Sequence, residues 1–411
     1  MVKGPNDSEE KLRKIKERLT LYKDHNQNDA QLIKDITKDL FESRRKEILN
    51  ESNKNINFNF STLHNHQKFT NITCNPFIKI QGETVVPNHE LIMIDPFVSL
   101  KNLPLKKNFD ALILNEEEKW NTLIFIEIKT SKLSERLLNQ IIDKIQYYES
   151  EKMLRFIKNE LKPLKIDRIE YVLLIKPHRN DLARRILIDK KIEIIDEYGK
   201  KKLIDVPLII WNPHHSDNKP NYYYLLIQPY NDDTNEAIKL RQYHQNQKLI
   251  KFLSQNVEYQ LFTSLISLKF SPVLDFTYQL IMITTELLKL NDRQTFTEND
   301  LKELVKEQLF SNLRTEVNTN FICQRIINKG LNSKVFVRTN EIDVFKIRVR
   351  RTIQPYQIQI EIINKLSLYK TERKIGSNEI QLELHKQILD TYLLHRKRGT
   401  KTILDFKNKD K

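Results

Sequence analysis

The chain has 411 residues, 39% hydrophobic and 30% charged, enough for a sizeable core and two or three domains, which excludes wholesale disorder. Its 6 glycines form no Gly-x-Gly-x-x-Gly or Walker pattern, disfavouring ATP-driven and NAD-linked chemistry, and 2 cysteines are too few for a zinc cluster or a disulfide framework. A formal net charge of +15 favours a polyanionic partner, most simply nucleic acid, and the lack of a signal peptide or of an apolar run of about 18 residues points to a cytoplasmic protein with no membrane partner.

Residues 8–27 and 29–50 read as two charged helices, the second with an apolar stripe at Leu32, Ile33, Ile36, Leu40, Phe41 and Ile48. They are expected to pack on the first domain. Residues 51–75 are Asn-rich and read as irregular, followed by short strands at 77–80 and 83–86 and an extended run at 91–100.

The next unit is the informative one. FDALIL (109–114) and TLIFIEIK (122–129) are strands joined by the polar turn 115–121, which makes a hairpin. A near-symmetric turn sets the index sum of opposed residues at about 237, so Asp110 lies opposite Glu127. Period-two geometry then sends Asp110, Glu127 and Lys129 to one face of the sheet, at the end remote from the turn. An acid and a base inside so apolar a strand need stabilising partners, because a buried unpaired charge costs several kcal/mol, roughly 2 or more. A salt-bridged Glu127–Lys129 pair at a strand end, with Asp110 in a turn, is the alternative that this pattern leaves open.

Ser134 is the expected N-cap of a helix running to about Lys158, whose apolar stripe is flanked by a polar one of Gln140, Lys144 and Tyr147. Strands follow at 168–176, 206–211 and 222–228, so that strands and a helix alternate around a hairpin. That is an α/β domain with a mixed central sheet flanked by helices, ending near residue 230. Residues 231–272 read as connecting helices. A second pattern begins at 273: helices at 275–290, after Thr297, and at 318–328 with Gly330 as a left-handed C-cap, then strands at 334–339 and 343–351. Residues 356–364 read as one more alternating strand, closing that domain at 365. A helix at 379–394 and a frayed basic tail complete the chain over 366–411.

Two carboxylates on one face supply hard oxygen ligands for Mg²⁺ or Mn²⁺, and an adjacent lysine suits metal-assisted phosphodiester hydrolysis. FDALIL followed by IFIEIKTSK resembles the PD-(D/E)xK nuclease superfamily. The resemblance covers roughly residues 75–180 and implies a restriction-endonuclease-like fold for the domain 51–230, Asp110 and Glu127 as metal ligands, and Lys129 as the catalytic lysine. It extends to Gln140 as the glutamine of a Gln and Tyr helix, and to an upstream glutamate for which Glu42, Glu47, Glu83 and Glu90 compete. Phe109 stands where proline is common in that family.

Helix, helix, helix, hairpin is the order of a winged helix-turn-helix, so residues 273–365 resemble a mainly α winged-helix DNA-binding domain. Lys346, Arg348 and Arg350 alternate with Ile347 and Val349, giving a basic strand face suited to phosphates. Asn318, Asn320, Gln324 and Arg325 on the third helix are placed for bases or backbone. A solvated surface or a protein-protein contact is the competing description. His214, His215 and Asp217 read as a surface loop rather than a metal site, and His89-Glu90 lacks the second His of a zinc protease. Tyr222, Tyr223, Tyr224 and Tyr230 read as core before base-stacking.

The expectation is a Mg²⁺-dependent DNA endonuclease of restriction, defence or transposition type. RNA as substrate, and a second copy of the chain or other proteins as partners, stay open. The alternative is a non-catalytic DNA-binding regulator with an inactive nuclease fold.

Overall fold

The computed structural model describes residues 6–79, 82–84, 86–96, 108–116, 121–130, 134–175, 192–195, 201–204, 212–215, 222–226, 257–260, 276–290, 294–308, 319–350 and 354–407. The chain is mixed α/β and mostly helical, and it divides into two compact units. One comprises residues 1–59, 330–337 and 346–411; the other comprises 60–329 and 338–345.

A four-stranded sheet dominates the second unit: β1 (His89–Ile94), β2 (Ala111–Glu116), β3 (Asn121–Lys129) and β4 (Arg168–Ile175), in that spatial order. β1, β2 and β3 are antiparallel neighbours, and β4 runs parallel to β3, so the sheet is mixed. The parallel pair requires a crossover. It is supplied by two consecutive helices that follow β3, here α3 (Glu135–Glu149) and α4 (Glu151–Glu160).

The two sheet faces can be assigned from the alternation of residues. Leu112, Leu114, Leu123, Phe125, Tyr171 and Leu173 share one core with Ile141, Ile145 and Tyr148 of α3. Ala111, Ile113, Ile124, Ile126, Ile128, Val172 and Leu174 share the other with Phe69 and Cys74, from the long helix α2 (Gln27–Cys74). Each large side chain buried this way contributes about 1.5–3 kcal/mol. α3 begins as its sequence predicts, with Ser134 Oγ accepting the Leu137 N–H at 3.3 Å. It stops nine residues earlier than expected of a single helix to 158, because Ser150 is extended and serves as N-cap of α4, accepting the Met153 N–H at 3.4 Å.

The Asn-rich stretch is a correction. Residues 51–74 continue α2 without a break, and a 3-10 turn at Asn75–Phe77 follows, ending on the first residue of the strand expected at 77–80. Asn costs a helix only a few tenths of a kcal/mol, about 0.7 at most, and burial of Ile56, Phe69 and Cys74 along the helix outweighs it.

Further short strands are β5 (Ile192–Ile195) with β6 (Lys201–Ile204), and the antiparallel set β7 (Asn212–His215), β8 (Tyr222–Leu226) and β9 (Val257–Gln260). His214 and His215 are therefore on a strand, opposite Tyr224 and Tyr223, and not in a loop. β9 replaces expected helix at 257–260. The strand expected at 206–211, Asp217, Tyr230 and the rest of the 231–272 connection lie outside the described residues.

The C-terminal pattern contains α5 (Thr277–Leu290), β10 (Thr295–Thr297), α6 (Glu298–Gln308), α7 (Thr319–Asn332), β11 (Phe336–Arg338) and β12 (Val344–Ile347). The three strands form a sheet in the order β10, β12, β11. Thr297 and Asp300 cap α6 reciprocally: Thr297 N–H donates to Asp300 Oδ2 at 2.7 Å, and Asp300 N–H to Thr297 Oγ1 at 3.1 Å. Gly330 is not a left-handed cap. It lies inside α7, where a Cβ would stand 2.1 Å from the Phe336 ring, and Lys334 (φ 57°) is the left-handed residue that follows the helix.

The strand expected at 356–364 is instead part of α8 (Pro355–Ile375). Pro355 at its first turn, and the burial of Ile358, Ile362, Ile363 and Leu366, follow helical spacing. α9 (Asn378–Lys407) carries the helix through most of the tail expected to fray. In the first unit, Leu19 of α1 (Asn6–His25) and Ile33 and Ile36 of α2 pack on Ile388, Leu389 and Tyr392 of α9. Within this unit the N-terminal helices take the C-terminal helix as their partner. Ile48 joins Ile380 and Leu384, and Arg45 pairs with Glu372 at 2.5 Å.

Candidate active site

The β2–β3 ladder pairs Ala111 with Ile126 and Glu116 with Asn121, the expected register, and its last pair lies one step short of Asp110 and Glu127. Asp110 N–H donates to Ile126 O at 2.8 Å, closing the ladder. Beyond it the carboxylate takes over the role of the missing strand: Asp110 Oδ2 accepts the Ile128 N–H at 2.6 Å. On the other side, Asp110 O accepts the N–H of Asp95, a buried residue with φ 49° that ends β1. Glu127 and Lys129 continue the period-two series of the inward Leu123 and Phe125 and so face α3, whereas the neighbours of the Asp110 carboxylate are the β3 backbone and His66 of α2.

Glu127 is almost wholly buried, its side chain 2% exposed, and two ammonium groups neutralise it. Lys129 pairs with Oε1. Lys144, reaching down from α3, lies 2.8 Å from Oε1 and 2.7 Å from Oε2. Its third contact is Asn108 O at 2.7 Å, and its ammonium stands 5.5 Å from the centre of the Phe109 ring. Three oxygens therefore surround a single positive charge. A carboxylate buried without such partners would cost several kcal/mol, and here Coulomb attraction and direct hydrogen bonds offset that penalty.

α2 contributes His66. Its Nε2 lies 2.9 Å from Ile128 O, which can only accept, so the proton sits on Nε2. The same nitrogen is 3.7 Å from Asp110 Oδ1, and Nδ1 is 3.3 Å from Thr70 Oγ1. Asp110 and His66 thus hold the N–H and C=O of the residue between Glu127 and Lys129. Below the acids, Tyr148 stacks edge-on against Phe109 and Phe125, with ring centres 5.0 and 4.8 Å away, and burial pushes its hydroxyl well above the ordinary tyrosine range.

Glu127 and Lys129 form an ion pair, and Asp110 accepts the N–H of the residue between them. Gln140 is exposed on α3, and Lys144, one turn further along the same stripe, is the residue of that helix that meets Glu127. Of the four upstream glutamates, Glu42 and Glu47 lie on the first half of α2, Glu47 paired with Arg44 at 2.7 Å. Glu90 sits opposite Leu114, paired with Lys79 at 3.2 Å, at the far end of the sheet from Asp110. Glu83 and Glu90 line a separate polar cavity of about 350 Å³. Among the described residues no group of three or more His, Cys, Asp or Glu side chains is placed to hold a metal ion. A site here rests on two carboxylates and main-chain oxygen.

Sequence reasoning missed two members. Lys144 was visible as part of the polar stripe of α3, but its pairing depends on where α3 crosses the sheet. His66 was out of reach because its segment read as irregular.

In the C-terminal region, Lys346 on β12 and Arg348 and Arg350 beyond its end are exposed, while Phe345, Ile347 and Val349 are buried; the strand is shorter than the expected 343–351. Arg350 N–H is capped by Glu361 at 2.9 Å. On α7, exposed Arg325 lies over the rings of Phe276 and Phe321, 5.9 and 5.2 Å from their centres, and Gln324 bonds Glu298 at 3.3 Å. Asn320 is exposed, and Asn318 lies outside the described residues. The chain matches no protein-family model, and neither a curated protein nor a solved structure matches it.

Proposed function

We propose that this chain is a divalent-metal-dependent endonuclease that hydrolyses DNA phosphodiester bonds. The observation that carries the reading is Asp110, at the open end of the β2–β3 hairpin, accepting the N–H of Ile128 between the paired Glu127 and Lys129. That is the constellation the PD-(D/E)xK resemblance implies. A mixed sheet with helices against both faces agrees with a restriction-endonuclease-like fold.

The residues fit a hard cation. The point held by Asn108 O and both Glu127 oxygens already stabilises positive charge. Asp110 accepts the Ile128 N–H, which keeps its carboxylate at the same strand end as that of Glu127. Asp110 and Glu127 would hold Mg²⁺ or Mn²⁺, which when bound polarises the phosphodiester and acidifies a coordinated water. Lys129 orients the attacking water and offsets the negative charge growing on the phosphorane-like transition state. Asp110 and His66 fix the backbone between Glu127 and Lys129 and so hold both side chains at one separation.

Three helices followed by a hairpin, with β10 closing a small sheet, support the winged-helix reading of the C-terminal region. Its exposed Lys346, Arg348, Arg350 and Arg325 supply charge for phosphates. Among the described residues no helix is long and apolar enough to cross a membrane. Restriction, defence and transposition are all compatible roles.

A second reading, a DNA-binding protein on an inactive nuclease fold, is favoured by one observation: both Glu127 oxygens are engaged by Lys144. Incubating the protein with duplex DNA and, in parallel, duplex and single-stranded RNA in Mg²⁺ or Mn²⁺ separates the readings. Metal-dependent cutting of DNA supports the endonuclease, cutting of RNA alone reassigns the substrate, and DNA binding without cutting in either metal supports the regulator.

A further inference from the structure

The Lys144 ammonium takes a place that a catalytic lysine does not need and a metal ion would. It has two carboxylate oxygens and one main-chain carbonyl within 2.7–2.8 Å, all of them hard oxygen donors. Glu127 has a second cation in Lys129, so its charge remains compensated if Lys144 leaves. Lys144 is the more accessible member of the pair. Its side chain is 15% exposed against 2% for Glu127, its stem is flexible, and it springs from the helix face whose previous turn carries exposed Gln140. Like charges in contact repel, so an ammonium and a dication cannot share the same three oxygens.

Resting on the endonuclease reading above, we infer that Lys144 is an internal counter-cation that occupies the metal position and must withdraw for a divalent ion to bind. The protein then exists in two states, one closed by Lys144 and one open to metal, and only the open fraction binds. Apparent metal affinity is reduced by that fraction, so the site stays charge-compensated and idle until the ion arrives. Lys144 is a positioning residue under this account and takes no proton in the reaction.

The test is Mn²⁺ binding to the whole chain by calorimetry, beside thermal melting with and without Mn²⁺. Lys144→Met is expected to bind Mn²⁺ roughly tenfold or more tightly than wild type, because the closed state is gone. Its melting temperature falls without metal and recovers with Mn²⁺, by more than Mn²⁺ raises that of wild type. Lys144→Gln, which keeps a hydrogen-bond donor without charge, gives the same two changes if the Met variant folds poorly. Equal Mn²⁺ affinity in wild type and both variants, abolished by Asp110→Asn, overturns the counter-cation role and leaves the metal site standing. Absence of Mn²⁺ binding in all of them overturns both.

Discussion

The smallest features of this chain make the sharpest claims. Gly330 is inside α7 and opposes the Phe336 ring at a distance no Cβ could share. Gly330→Ala is expected to lower stability by about 1–3 kcal/mol, the usual cost of overpacking, despite alanine's better helix propensity. A urea titration checks it, and a gain in midpoint would contradict the close approach. Desolvation is the first cause that lowers the pKa of His64 and of His385 below the ordinary 6.5, with Lys68 adding to it at His64 and Lys16 and Lys23 at His385. Each ring binds protons less readily folded than unfolded. Their effect on stability is absent above about pH 6.5 and becomes a loss as pH falls through the unfolded value. Replacing both by Gln is expected to flatten the decline between about pH 6.5 and 5, measured as urea midpoint against pH.

At the scale of elements, α8 decides between two periodicities. Alternation puts Ile358, Ile360 and Ile362 on one face of a strand, whereas the helix buries Ile358 and Ile362 and leaves Ile360 37% exposed. Ile360→Ala is expected to stay within about 0.5 kcal/mol of wild type. Ile362→Ala is expected to cost about 2–5 kcal/mol, and equal losses at the two positions would favour the strand.

The same element explains what the sequence could and could not disclose. The β2–β3 register was legible because two apolar runs flank a polar turn and slipping by one residue would bury the wrong face. Asp110 opposite Glu127 followed from it. Residues 51–74 were not legible, since their Asn content speaks of local propensity while their helix is maintained by packing on the sheet and elsewhere along α2. Alternating isoleucines misled at α8 because a helix with one outward isoleucine reproduces a short period of two. Lys144 and His66 join the candidate site across helix–sheet contacts, and no spacing within one strand encodes those.

For the molecule as a whole, a net charge of +15 sets the background on which specific contacts act. If Lys346, Arg348 and Arg350 meet phosphates, each lost contact reduces the slope of log affinity against log salt by about one unit. Arg348→Ala combined with Arg350→Ala is therefore expected to weaken duplex binding and flatten its salt dependence. An unchanged slope would remove the basic strand from the DNA interface. Neither substitution touches the Asp110, Glu127 and Lys129 cluster, so the cutting rate at saturating DNA is the same within error under this account.

The claim tested most directly is that this cluster performs hydrolysis. Supercoiled plasmid is incubated in Mg²⁺ or Mn²⁺ with wild type and with Asp110→Asn and Lys129→Met, each confirmed folded by its melting transition. The account predicts nicking or linearisation by wild type that EDTA stops and both substitutions abolish. Equal cutting by all three proteins, or duplex binding by wild type with no cutting in either metal, would contradict it.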